Sequence, residues 1–246
     1  IVAGPTGAGK TTTLYATINR LNRIENNIMT IEDPIEYQFN RINQIQVNRQ
    51  AGITFAAGLR AIMRLDPNVI LVGEIRDQET AKTAVQAALT GHLVLSSIHA
   101  NDAVGAIYRL IDLGVEPFLV VSALAGVVSQ RLLRRVCDHC RILATPSPEE
   151  RLAFQAEMGI DKEQFYQGQG CNFCADTGFR GRIGVFEVLA INEPLRAMVI
   201  QEASVDEIAD LAQQEGMIPM KRDGMIKVEQ GITTPGEVLR NVYTIR

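Results

Sequence analysis

Gly4-Pro5-Thr6-Gly7-Ala8-Gly9-Lys10-Thr11 decides how this sequence is read, because it fits the pattern GxxxxGK followed by Ser or Thr in full. Its glycines let backbone N–H groups close around phosphates, and a helix starting at the end of the loop adds positive potential there. In such a P-loop Lys10 reaches the β- and γ-phosphates and Thr11 offers its hydroxyl to magnesium. The expected contacts are therefore Gly4, Pro5, Thr6, Gly7, Ala8, Gly9, Lys10, Thr11 and the adjacent Thr12, with ATP and Mg2+ as the ligands. A mere flexible glycine turn is the alternative.

Working outward, Leu14, Ile18 and Leu21 recur at helical spacing, and Ile28 to Ile31 is a short β-branched run closed by Glu32, Asp33 and Pro34. Leu59, Ile62 and Met63 predict a second helix stopped by Asp66 and Pro67, before the continuous apolar run Val69 to Val72. Ala81, Ala84, Val85, Ala88 and Leu89 predict a third helix ended by Gly91, and Leu93 to Ser97 the next strand. The alternation predicts an α/β fold: a RecA-like P-loop core with a mostly parallel sheet and helices on both faces. Ligands then bind at the C-terminal ends of the strands. Gly4 to Thr11, Glu32 to Glu36, Gly73 to Asp77 and His99 to Asp102 each follow a predicted strand, so one crevice can collect them.

With 46% hydrophobic and 21% charged residues in 246, the chain has material for a real core. A net charge of -4 supplies no global basic field for nucleic acid, which leaves Arg131, Arg134 and Arg135 as the local patch. Placed at the end of a predicted helix, those arginines also fit a solvated terminus. The apolar stretch Phe118 to Val128 is too short to span a membrane, which takes roughly 20 residues, and predicts a buried helix. No secretory signal opens the sequence, so a reducing cytosol is the expected compartment. Only Ile1, Val2 and Ala3 precede the loop, fewer than the about five residues of a usual strand, so the chain reads as N-terminally truncated.

Three further groups carry chemistry. In Val72-Gly73-Glu74-Ile75-Arg76-Asp77, Gly73 stands where an aspartate usually holds magnesium through water, and Glu74 is placed to orient or deprotonate an attacking water. A salt bridge from Glu74 to Arg76 is the alternative. Glu32, Asp33 and Glu36 gather three carboxylates after a buried strand, which suits either a magnesium-associated site or an ordinary solvated turn. His92 and His99 flank a strand and so occupy opposite ends of it. His99, at the C-terminal end, is the one placed to sense or polarise the γ-phosphate, although a lone histidine is more often structural.

Cys137, Cys140, Cys171 and Cys174 form two CxxC pairs, a full thiolate set for structural Zn2+. His139 is available as a substitute ligand. Disulfides are disfavoured in a reducing compartment, and a redox motif needs only one pair. Helices are predicted around Leu195 to Ile200 and from Ser204, which forms a capping box with Glu207. The expected domains are a core over 1–135, a tetracysteine subdomain over 136–180 and a helical subdomain over 181–246.

Taken together, GPTGAGKTTTLY from Gly4, TIEDPIEY from Thr30, DPNVILVGEIRD from Asp66, TGHLVLSSIHAND from Thr90, the CxxC pairs and GFRGRIGVFEVL from Gly178 resemble the secretion and type IV pilus assembly ATPase family. The resemblance spans nearly the whole chain. It implies a homohexameric motor ATPase that hydrolyses ATP to power pilin or pseudopilin assembly. It implies Glu74 in catalysis, Glu36 in an acidic box, and His92 and His99 in a histidine box, with Ser97 and Ala100 departing from the threonines often found there. It further implies an upstream domain supplying arginines across the ring, leaving Arg60, Arg64 and Arg76 here as candidate charge partners in trans or in cis, with structural ion pairs as the alternative. The cysteines resemble the assembly branch. The implied partner is an inner-membrane platform protein, with the motor at the cytoplasmic face and no direct nucleic acid contact. A nucleic-acid-stimulated ATPase and a non-hydrolysing nucleotide-switched scaffold are the competing readings.

Overall fold

The computed structural model describes residues 1–243, arranged as two compact units that are each discontinuous in sequence: 1–129 with 188–217, and 130–187 with the region from 218 onward. In chain order the first unit holds β1 (Val2–Ala3), α1 (Lys10–Leu21), β2 (Ile28–Glu32), β3 (Ile42–Gln46), α2 (Phe55–Ile62), β4 (Val69–Val72), α3 (Gln78–Leu89), β5 (Leu93–Ile98), α4 (Ala103–Asp112) and α5 (Pro117–Ala123). Next, β6 (Gly126–Val136) leads into the second unit, which continues with β7 (Arg141–Ala144), α6 (Pro148–Met158) and β8 (Phe165–Gly168). Then β9 (Phe179–Ala190) leads back to α7 (Glu193–Ile200) and α8 (Val205–Gln214) of the first unit, before α9 (Met220–Glu229) and α10 (Pro235–Val242) complete the second.

The strand order is β3-β2-β4-β5-β1-β6-β9. Pairings from β3 through to β6 are all parallel, which is the α/β arrangement expected from the alternation. Because side chains alternate across a strand, β4 is buried on both sides. Val69 and Leu71 pack with Leu14, Tyr15 and Ile18 of α1, whereas Ile70 and Val72 pack with Leu59 and Ile62 of α2 and Ala81 and Ala84 of α3. This is why residues 69–72 read as an unbroken apolar run. Inserting β5 between β1 and β4 sets three C-terminal strand ends side by side.

In the second unit Leu133, Phe154, Phe165, Val185, Met220, Met225, Val228 and Val238 form a separate core. There β7 and β8 pair antiparallel, Leu143 opposite Tyr166. Ser204 and Glu207 make the expected capping box on α8 of the first unit.

Two expectations are corrected. Residues 118–128 are not one buried helix: α5 ends at Ala123, β6 begins at Gly126, and Phe118 and Leu119 are exposed. The strand wins because β-branched Val127 and Val128 follow a glycine whose lack of a side chain admits a close backbone approach; a Cβ at Gly126 would sit 2.9 Å from the Leu189 carbonyl oxygen. Arg131, Arg134 and Arg135 consequently lie in β6 rather than at a helix end. Arg131 is buried, and Arg134 pairs at 2.5 Å with the buried Glu237 while its guanidinium lies 4.1 Å from the Phe179 ring centre. The two-unit division also differs from the succession 1–135, 136–180 and 181–246, since β6 and β9 each run through both units.

Candidate functional site

The glycine loop joins β1 to α1. Gly7 and Gly9 adopt φ of 80° and 87°, left-handed values that glycine reaches without strain. Gly9 caps α1 with no side-chain hydrogen bond to the first turn, so the helix presents its N-terminal amides toward the loop. The Lys10 ammonium folds over the loop, donating to the Gly4 and Pro5 carbonyl oxygens at 2.9 and 3.0 Å. Thr11 and Thr12 are exposed on the first turn.

Beside the loop lie the ends of β4 and β5. Glu74 follows β4, and its side chain is 16% exposed. Arg76 contacts it at 2.6 Å, but that guanidinium is 65% exposed, and ion pairs of this kind contribute only about 0–1 kcal/mol. The Arg76 pair therefore does not fix Glu74 as a structural residue. His99, just past β5, brings Nε2 to 3.9 Å from the same carboxylate. Burial holds the His99 pKa below its ordinary value, reinforced by the positive charge of Lys10 and opposed by Glu74. The Ser97 hydroxyl donates to the Gly73 carbonyl at 2.7 Å, and the Ile75 N–H donates to the Ser97 carbonyl at 2.9 Å, tying the Glu74 turn to β5. Lys10, Glu74 and His99 thus converge.

His92 sits at the other end of β5, its Nδ1 3.0 Å from the Ala87 carbonyl oxygen, apart from this group. Asp77 and Asp102 cap α3 and α4 through the N–H groups of Thr80 and Gly105. Arg60 pairs with Glu79 at 2.7 Å, and Arg64 is exposed.

The acidic stretch divides by burial. Asp33 and Glu36 are exposed, while Glu32 is 3% exposed. Its carboxylate accepts hydrogen bonds from the Tyr15 hydroxyl, from Thr30 Oγ1 at 2.5 Å and from Gln44 Nε2 at 3.1 Å. Three donors offset the burial of Glu32, whose place in the sequence suited either a magnesium-associated site or a solvated turn. Tyr15 in turn accepts the Glu36 N–H at 3.1 Å. Burial, and then the bond to Glu32, push its phenol up to about 12. The sequence reading gave no role to Tyr15, Thr30 or Gln44. A polar residue two before Glu32 on one strand face was the available signal, because period-two neighbours share a face.

In the second unit the four cysteine sulfurs lie within 4.8 Å of one another. Cys137 to Cys171 and Cys140 to Cys174 are 3.9 Å apart, and Cys171 to Cys174 is 3.7 Å. A tetrahedron with metal–sulfur bonds of about 2.3 Å has edges of about 3.8 Å, so the donor set fits a tetrahedral metal, whereas a disulfide needs about 2 Å. Burial opposes ionisation of Cys174, but N–H donors from Cys171 and Gly178 prevail and bring its thiol to about 7. His139 lies outside the sulfur cluster, its ring stacked on Phe173 with centres 4.0 Å apart.

Residues 1–240 match the family model described as Type II/IV secretion system protein. The chain is 48% identical over 241 residues to the type IV pilus assembly ATPase PilB of Thermus thermophilus, covering 97% of this chain and 27% of that protein. It is 51% identical over 242 residues to the type II secretion system protein E of Pectobacterium carotovorum, covering 98% and 47% respectively. The solved structure of the pilus retraction motor PilT with bound ADP shares the fold at a TM-score of 0.72 and 30% identity, over 97% of this chain and 59% of that one. The chain thus spans less than half the length of these two curated relatives.

Proposed function

Since the chain belongs to the type II/IV secretion system protein family, we propose that it is the ATP-hydrolysing part of a hexameric motor that powers pilin or pseudopilin assembly in pilus biogenesis or type II secretion. The convergence of Lys10, Glu74 and His99 at neighbouring strand ends carries this reading. The loop amides and Lys10 would bind the triphosphate and stabilise charge developing on the γ-phosphoryl group. Glu74 would align the attacking water and accept its proton, with Glu36 as a second carboxylate on the acidic segment. His99, kept neutral by its depressed pKa, would donate or accept a hydrogen bond near the γ-phosphate rather than add charge. The Thr11 hydroxyl would help hold Mg2+, which would supply positive charge to offset that of the β- and γ-phosphates. Zn2+ on Cys137, Cys140, Cys171 and Cys174 would act structurally, since four thiolates leave no open position. The motor would sit at the cytoplasmic face of the inner membrane, working on a platform protein.

Phosphate release by the full-length protein tests the reading. Wild type hydrolyses ATP, and Lys10→Ala loses at least about 100-fold in kcat/KM. Unchanged hydrolysis in Lys10→Ala would refute the assignment.

A further inference from the structure

Tyr15 stands one and a half turns into α1, five positions beyond Lys10, and is 5% exposed. Its ring meets Phe39 edge-on at 5.1 Å between centres and Tyr37 at 6.0 Å. Those apolar contacts need only a ring. The hydroxyl does something separate: it donates to Glu32 Oε2 and accepts the N–H of Glu36 at 3.1 Å. The polarity of the contact with Glu36 is fixed, because an amide N–H only donates. With its phenol raised to about 12, Tyr15 keeps the proton that the arrangement requires at neutral pH.

Glu32 is in turn clamped by Thr30 on its own strand and by Gln44 of β3. The helix that begins at the glycine loop, the end of β2 and strand β3 therefore meet at one buried carboxylate. The segment following it is exposed at Asp33 and Glu36, with Ile35 N–H held by Gln46 Oε1 at 3.3 Å. Tyr15 thus connects the glycine-loop helix directly to the backbone of Glu36.

We propose that Tyr15 is a positioning residue for hydrolysis: its hydroxyl sets the acidic segment bearing Glu36 in register with the glycine loop. The inference rests on the reading of Glu36 as part of the hydrolytic set. Tyr15 touches neither the triphosphate nor the attacking water; it acts through Glu36. Losing the hydroxyl leaves the ring packing intact and frees the Glu36 backbone.

The test is Tyr15→Phe in the full-length protein, with phosphate release followed against ATP concentration and affinity measured with a fluorescent non-hydrolysable ATP analogue. The expected result is a fall in kcat of about 10-fold, on the scale seen when an outer hydrogen-bond partner is lost. KM and analogue affinity stay within about twofold, and amide exchange in residues 33–37 rises. A kcat within about twofold of wild type overturns the proposal, as does a joint fall of kcat and affinity, which is the signature of lost packing. Tyr15→Leu separates ring from hydroxyl: normal turnover in Tyr15→Phe with loss only in Tyr15→Leu also overturns it. Glu36→Gln distinguishes the two levels. Wild-type kcat in Glu36→Gln removes the underlying reading, whereas an inactive Glu36→Gln beside a normal Tyr15→Phe removes only the inference about Tyr15.

Discussion

Glu32 and Glu74 stand at the ends of adjacent parallel strands, Ile31 of β2 being in register with Val72 of β4, yet their surroundings differ. Glu32 is sealed in and takes hydrogen bonds from Tyr15, Thr30 and Gln44. Glu74 is partly open, facing His99 and an exposed arginine. A carboxylate whose lone pairs are occupied by fixed donors holds structure together, whereas one partly open beside the glycine loop retains the freedom to handle a water and its proton.

Three substitutions break or sharpen that contrast. The largest effect is expected for Glu74→Gln, which keeps the shape but not the base: kcat falls about 100- to 1,000-fold in steady-state turnover, while thermal stability holds to within about 1 kcal/mol. Glu32→Ala reverses the pattern, leaving the Tyr15, Thr30 and Gln44 donors without their acceptor. Denaturant titration is expected to show a loss of about 2–4 kcal/mol, and a loss under about 1 kcal/mol would place Glu32 outside the structural framework. Arg76→Ala is the smallest, with about 0–1 kcal/mol of stability and less than about threefold in kcat. A large kcat loss there would mean that Arg76 supplies charge to the reaction within its own chain.

How much of this was legible varied with how local the signal was. The glycine loop is a contiguous motif whose residues are neighbours in sequence, and CxxC spacing sets the two thiolates of each pair close together, while the pairing of β7 with β8 brings the two pairs to one place. The alternation of strands with helices was most readable at β4, whose four residues are apolar and buried on both faces, whereas β2 carries Thr30 and Glu32 and β5 carries Ser96 and Ser97. The run 118–128 was misread because apolar residues without a clear period suit a helix or a strand equally, and the close approach at Gly126 that decides the matter comes from a chain segment about sixty residues away. Glu36 and Glu32 look alike in TIEDPIEY. Only the reach of Tyr15 and Gln44, from α1 and β3, sets them apart.

Whether Glu74 acts in hydrolysis without being needed to hold nucleotide is decided by what remains bound. Full-length Glu74→Gln is incubated with ATP and Mg2+ through many wild-type turnover times, freed of unbound nucleotide, denatured and analysed chromatographically. The recovered nucleotide is expected to be ATP, where wild type yields ADP. Recovery of ADP from the variant would contradict that expectation, and would move the hydrolytic role away from Glu74.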